Sequence, residues 1–457
     1  MRIIRTMLAA CFAAAISGTA YAAVSQQEAD QLGGTTLTEF GAEKVGNADG
    51  SIPPYTGGLP KDTAPAGWKP GTGRYDKNPF DDEKPLLSVN AGNMDKYADR
   101  LTAGAVAMMK KYPDYRIDVY PSHRSQGYPA EWLSHCKTNA TTVKMTKTGN
   151  GVEGGHSCVA FPIPKDGNEV QWNNATRYVY GVDVEISMSN WLMDAAQHVT
   201  DLGHITYTQS NYWTDPATNT TPGYRLGISQ GAWKGPPFQV GTLVRQTRSL
   251  DYDKQSTLAW FYSPGQRRVR LAPEFAFDTP IASYGGAITY DEQFGFGGSP
   301  ERFDWKLVGK KEMYVPYNDY KLFFTPVDKL FSKGFVNPDN FRFELHRVWV
   351  IESTLKPGKR HVYSRRTFYI DEDTWAVVAS DSYDQSGKIY RVGFIPSYPV
   401  WDKQTFVQGM NFYDMTKGSF LIGPVYSRPE DGAIVSDKFP ADSSKWSPDR
   451  MAGSGIR

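Results

Sequence analysis

Hydrophobic and polar positions alternate most regularly between Phe341 and Phe394 (FRFELHRVWVIESTLKPGKRHVYSRRTFYIDEDTWAVVASDSYDQSGKIYRVGF), where runs rich in Val, Ile, Tyr, Phe, Trp and Thr are separated by turn clusters. This period of two predicts four consecutive antiparallel strands. Lys356-Pro357-Gly358-Lys359 suits a type II turn, because Pro presets the first central φ and Gly accepts the positive φ that follows. The next turns fall at Asp371-Glu372-Asp373 and Asp384-Gln385-Ser386-Gly387. On the first strand one face carries Phe341, Phe343, Leu345, Arg347, Trp349 and Ile351; the other carries Arg342, Glu344, His346, Val348, Val350 and Glu352. Arg347 thus interrupts an aromatic row. It either meets a cross-strand carboxylate or ring, or is one of a few charges that orient a ligand on an apolar concave wall.

The same pattern organises the rest of the chain. Tyr178 to Met188 alternates as a half-buried strand, and further strands are expected at Ile205–Tyr207, Gly241–Arg248, Ser256–Tyr262, Arg267–Leu271 and Trp305–Gly309. Met313 to Tyr320 carries an internal Pro and is expected at an edge or in a connector. Helical signals are fewer: Ser25–Leu32 with a capping-box arrangement, Asn93–Lys111, Pro129–Lys137 and Thr325–Ser332. The expected organisation is a signal segment over 1–22, an extended Gly/Pro-rich strap over 23–92, a sheet domain with helices over 93–427, and a loose polar tail over 428–457.

Composition agrees with a mainly β (α+β) protein, since aromatics reach 14% and the chain holds 43 Gly and 30 Pro. A net charge of +1 argues against nucleic acid as a partner. Arg2 and Arg5, the apolar run from Met7 to Ile16, and Ala20-Tyr21-Ala22 form an export signal with cleavage expected after Ala22. Leu8-Ala9-Ala10-Cys11 mimics a lipoprotein box, but the apolar run continues past Cys11. No other run approaches the ~20 residues of a transmembrane span, so a soluble periplasmic product is expected. Its two cysteines, Cys136 and Cys158, are an even pair in an oxidising compartment and are expected to form a disulfide stabilising the fold by roughly 3 kcal/mol.

Candidate chemistry is sparse. Gly227-Ile228-Ser229-Gln230-Gly231 matches the nucleophile-elbow pattern, but Ala-Trp-Lys-Gly-Pro-Pro follows where a helix is required. The seven histidines show no metal-ligand spacing, and the acidic turn at Asp371–Asp373 lacks the spacing of a calcium loop. No catalytic residue, metal site or cofactor is expected. Arg268 and Arg270 share one face of a strand and suit either an anionic ligand or a charged sheet edge; Arg365 and Arg366 pose the same choice.

The strap GNADGSIPPYTGG (46–58), the run FPIPKDGNEVQWNNATRY (161–178), QRRVRLAP (266–273), MYVPYN (313–318) and above all ELHRVWVIESTLKPGKRHVYSRRTFYIDEDTW (344–375) resemble the bacterial DUF1329 family across nearly the whole mature chain. The resemblance implies a fold similar to the LolA and LolB lipoprotein carriers: a large, strongly curved, unclosed antiparallel sheet with a few helices covering its concave face. It also implies a periplasmic companion of outer-membrane proteins or of resistance-nodulation-division (RND) pumps, and supplies no catalytic residues. The Cys136/Cys158 pair departs from the family pattern. The expected function is a non-enzymatic carrier of a hydrophobic molecule or lipid, accessory to an outer-membrane or RND-type export system; the alternative is a scaffold of an envelope complex without cargo. The expected ligand wall is Phe341, Phe343, Leu345, Trp349 and Ile351 with Tyr178, Tyr180, Val182 and Val184. Arg268, Arg270, Arg347, Glu344 and His346 are the expected polar contacts.

Overall fold

The computed structural model describes residues 23–216, 225–272, 277–438 and 442–454; the signal-like segment 1–22, with Cys11 and the position after Ala22, lies outside the described residues. Sixteen strands form one sheet. They are β1 (Leu87–Asn90), β2 (Arg116–Tyr120), β3 (Asp183–Met193), β4 (Val199–Asn211), β5 (Arg225–Trp233), β6 (Leu243–Ser249), β7 (Ala259–Ser263) and β8 (Arg268–Leu271), then β9 (Phe303–Pro316), β10 (Arg342–Leu355), β11 (Arg365–Asp371), β12 (Val377–Tyr383), β13 (Ile389–Phe394), β14 (Met410–Asp414), β15 (Ser419–Val425) and β16 (Gly432–Ser436). The helices are short: α1 (Gln26–Ala29), α2 (Ala103–Lys111), α3 (Ala130–Leu133), α4 (Cys136–Thr142), α5 (Gly167–Thr176), α6 (Tyr320–Phe324), α7 (Val327–Leu330) and α8 (Pro448–Ser454).

The sheet runs β9-β10-β11-β12-β13-β14-β15-β3-β4-β5-β6-β7-β8, and its two end strands do not meet. All these pairings are antiparallel. One parallel contact, Arg342–Glu344 on Asp118–Tyr120, adds β2 and then β1 beside β10, and β16 pairs with the first half of β3 beside β15. The meander β10–β13 follows the alternation in the sequence: Gly358 takes φ 78° and the Lys359 N–H donates to the Lys356 carbonyl at 3.1 Å, closing the turn after β10. MYVPYNDY contributes the last residues of edge strand β9, which stops at Pro316 because proline has no N–H to donate to the ladder.

Three expectations change. Tyr178 to Val182 is not strand: Tyr180 and Gly181 adopt left-handed φ of 63° and 67°, turning the chain before β3 starts at Asp183. The Asn93–Lys111 helix splits into a 3-10 segment (94–100) and α2, because Leu101 is extended and the Thr102 side chain caps α2 by accepting from the Ala105 N–H. The segment beyond Arg428 contributes β16 and α8 rather than a loose tail.

Two large hydrophobic cores lie against the sheet. The N-terminal chain runs over it with little regular structure, burying Phe40 and Ile52, and Trp375 Nε1 donates to the Phe40 carbonyl at 3.0 Å. At Gly41, φ is 91° and a Cβ would stand 1.8 Å from the Pro162 carbonyl oxygen, so only glycine fits.

Candidate binding cavity

Helix α5 sets one wall. Asp166 caps it by accepting from the Asn168 and Glu169 N–H groups at 2.9 Å each, and a Cβ on Gly167 would stand 2.7 Å from the Lys306 backbone of β9. The helix is thereby pressed onto the sheet, presenting Gln171, Trp172 and Ala175 to a partly open hollow of about 880 Å³, open solvent included. The opposite wall comes from alternating positions of β4 and β6, among them Tyr207 and Gln209, then Gln246 and Arg248. A second space of about 500 Å³, lined by Met188, Ile205, Trp233 and Val244, shares Tyr207, Gln246, Tyr290 and Gln293 with the first, so the two form one trough along β4–β6.

Residues 277–302 cover the trough, supplying Ile281, Tyr284, Phe294 and Phe296. Buried ion pairs hold this cover on the sheet. Asp291 pairs with Arg366 at 2.9 Å and meets His361 Nε2 at 3.1 Å, and Glu292 pairs with Arg391 and accepts from Tyr363 Oη at 2.7 Å. Burial disfavours the Asp291 carboxylate, yet Arg366 and then His361 outweigh it and hold the acid well below the usual range.

At one end of the trough stand two arginines. Arg177, 6% exposed, follows the last residue of α5; its Nη1 donates to the Asn174 carbonyl and its Nη2 to Gln408 Oε1 at 2.6 Å. The Gln408 amide is fixed in turn, since its Nε2 donates to the Val377 carbonyl at 2.9 Å. Half-buried Arg248 donates from Nη2 to Asn211 Oδ1 at 2.5 Å. Both Nε atoms lack an acceptor, as does Gln171 Oε1 its donor. Burial, with Arg248 adding to it, pushes the Arg177 guanidinium down to about 10, and burial also lowers Arg248; both remain cations at neutral pH.

The residues singled out from the sequence lie in several places. Tyr180 lines the trough and its Oη donates to the Gln408 carbonyl at 2.7 Å. Val182 is buried and its N–H bonds to the Ser436 carbonyl. Phe341, Phe343 and Leu345 pack in the larger core, where Phe343 and Phe394 lie 5.5 Å apart; Trp349 stacks on Trp375 at 5.9 Å, and Ile351 is fully buried. That row is close-packed rather than an open wall. Arg268 and Arg270 are exposed on the sheet-edge strand β8. Arg347 lies under the strap, donating to the Val45 carbonyl at 2.8 Å and to Glu372 at 3.4 Å.

Glu344 and His346 belong to a buried ionic cluster. His346 stands between Glu344 at 3.1 Å and Asp371 at 3.5 Å, with the Tyr317 ring stacked on it at 3.9 Å. Donor atoms of His346, Asp371 and Asp373 lie within 4.8 Å of one another, but Arg124 takes both Asp373 oxygens at 2.6 and 2.8 Å. Two arrangements resembling hydrolase machinery also dissolve. Ser229 of the G-x-S-x-G pattern is in mid-strand on β5. Ser187 and Asp431 both reach the same nitrogen of His204, Nε2, at 3.0 and 2.8 Å, whereas a catalytic relay needs both ring nitrogens. Cys136 and Cys158 form the expected disulfide, with Cα atoms 4.9 Å apart.

The sequence reading missed Arg177 and Arg248. The available signal was the alternation Val244, Gln246, Arg248, which puts two polar residues and one apolar residue on the inner face of β6.

A family model described as "Protein of unknown function (DUF1329)" matches residues 88–452. The "Uncharacterized protein PA3922" of Pseudomonas aeruginosa is 38% identical over 449 residues, covering 95% of each chain. Among solved structures, a DUF1329 family protein from Desulfovibrio piger overlays with TM-score 0.39 and 14% identity, over 59% of this chain and 92% of that one. A LolA superfamily protein from Nitrosomonas europaea gives TM-score 0.35 and 7% identity, over 63% of this chain and 100% of that one.

Proposed function

This chain belongs to the DUF1329 family, and from that premise we propose that it is a binding or carrier protein for a hydrophobic molecule or lipid housed in the trough between α5, β4–β6 and the 277–302 cover. The carrying observation is a partly open hollow, about 880 Å³ with its open solvent counted, bordered by the rings of Trp172, Tyr207, Phe294 and Phe296. An apolar molecule seated there would gain dispersion contacts with these rings, and a concave site with aromatic walls and a few polar groups is the form small-molecule sites take. Binding rather than catalysis is supported by the mid-strand place of Ser229 and by the single nitrogen shared at His204.

The same reading places the protein in the periplasm, motivated by the export pattern of 1–22 and the disulfide, and makes an RND-type transporter or outer-membrane protein the recipient of the cargo, an expectation drawn from the family resemblance. No helix among the described residues is long and apolar enough to cross a membrane. Native mass spectrometry of protein purified without detergent tests the reading: a co-purifying hydrophobe of defined mass supports it. A second reading, a scaffold without cargo, is favoured by the close-packed Phe341–Ile351 row. It gains if no hydrophobe co-purifies and the delipidated protein binds none from a broad lipid panel.

A further inference from the structure

Building on the binding role above, we propose that the cargo is an amphiphile whose anionic oxyanion head, a carboxylate or phosphate, sits between Arg177 and Arg248 while its apolar body runs along β6 toward Val244.

The argument starts from charge. Several buried guanidinium groups elsewhere meet a carboxylate: Arg366 faces Asp291, Arg391 faces Glu292 and Arg124 faces Asp373, while Arg245, which has no carboxylate, makes hydrogen bonds to Gln230 and to the carbonyls of residues 445–447. Arg177 and Arg248 have no such counter-charge among the described residues. Their acceptors are one carbonyl and two side-chain amides, and each has an unbonded Nε, as Arg366 and Arg391 also do, but with no carboxylate beside it. Two like charges held near one another, one buried and one half-buried, are costly to the apo protein. An oxyanion would relieve both, because guanidinium forks match carboxylate and phosphate oxygens.

The geometry of the trough supplies the rest. Arg248, Gln246 and Val244 occupy successive inward positions of β6, so the polar end and the apolar end are separated by about 13 Å at the rise of a strand. The partners of the head site are pre-set. Asn211, which accepts from Arg248, is held by its own donation to the Val179 and Gly181 carbonyls at 3.2 and 2.9 Å. The far end carries Met188, Ile205, Trp233 and Val244, with no ionised side chain in its lining. A molecule charged at one end and apolar over the remainder matches this gradient.

The test uses delipidated full-length mature protein and three probes below their micellar concentrations: oleate, oleoyl lysophosphatidate and uncharged oleyl alcohol. Calorimetric titration of wild type is expected to show at least tenfold tighter binding of one or both anions than of the alcohol. Arg248→Met is expected to lose that preference while keeping its affinity for oleyl alcohol, and, without ligand, to melt no lower than wild type because an uncompensated charge has been removed. Arg177→Met serves as the second variant. Preference for oleate over lysophosphatidate, or the reverse, identifies the head as carboxylate or phosphate. Equal affinity of wild type for anions and alcohol overturns the head-group inference and leaves the hydrophobe-binding function standing. Absence of binding by all three probes to folded protein overturns both. A preference that survives in both variants, or an Arg248→Met protein melting several degrees lower, assigns the arginines a structural role instead.

Discussion

The ionic cluster around His346 gives a stability change with a definite sign. Burial alone would lower the imidazole, but hydrogen bonds and charge from Asp371 and Glu344 outweigh it and raise it to about 9 from an ordinary 6.5. The groups that face it are Glu344 on its own strand, Asp371 at the end of β11 and the stacked Tyr317; Arg342 lies beyond Glu344, donating from Nε at 2.6 Å. Because the folded protein holds this proton more tightly than the unfolded chain, the stabilisation is fully present below pH ~6.5 and disappears as pH rises through about 9. With the side chain 2% exposed, solvent screening is small, and the shift corresponds to about 3 kcal/mol. Urea unfolding at pH 6.5 and 9.5 measures it. Wild type is expected to lose about 3 kcal/mol across that interval from this group. His346→Gln is expected to be less stable by ~3–5 kcal/mol at pH 6.5, since it strips a cation from two buried carboxylates, and to lack this pH slope. An identical slope in variant and wild type would refute the assignment.

Unreduced, denatured mature protein is expected to titrate no free thiols, and the double change Cys136→Ser with Cys158→Ser to cost roughly 3 kcal/mol in urea unfolding. Delipidated protein is expected to melt about 3 °C below protein saturated at ~100 times the Kd of a bound hydrophobe; Ala175→Trp, which puts a ring into the trough, should abolish that recovery while leaving the circular dichroism spectrum unchanged. Arg366→Met leaves Asp291 with His361 and the Thr289 hydroxyl and is expected to cost ~3–5 kcal/mol and to speed proteolysis within 277–302. The exported protein is expected to begin at Ala23 and to carry no lipid on Cys11, which intact mass and N-terminal sequencing check.

The meander β10–β13 was legible because two local signals coincided, alternation and turn chemistry at Lys356–Lys359 and Asp384–Gly387. Tyr178–Val182 alternates just as well yet is not strand, because a tertiary contact prevails: Tyr180 turns through a left-handed φ to reach the Gln408 carbonyl. The candidate site was illegible for a related reason. Arg268 and Arg270 on β8 and Gln246 and Arg248 on β6 present the same pattern of alternate polar residues, but the first pair meets solvent and the second faces a covered space. What distinguishes them is the 277–302 cover, and a one-dimensional pattern does not say which strand lies beneath a loop. The aromatic row of β10 was readable as buried, although whether a buried row faces an opening or another side chain depends on its partners, here Phe394 and Trp375.

The place of β3 has a consequence for how the protein assembles. β3–β8 and β9–β15 are each chains of neighbouring strands, and among the described residues their ladders meet where Ser189, Trp191, Leu192 and Met193 pair with Val425, Ile422, Leu421 and Phe420. Until that seam closes, β3 presents a long unpaired edge in the middle of the sheet, the kind of surface that recruits other chains. Long-range pairing of this sort is slow because the intervening loop must be closed before any contact rewards it. β16 then covers the other half of the same edge, pairing Gly432–Ser436 with Asp183–Ser187. Synthesis must therefore pass residue 436 before β3, the strand beside the trough, is paired along its whole length, and the middle of the sheet is among the last parts of the fold to close.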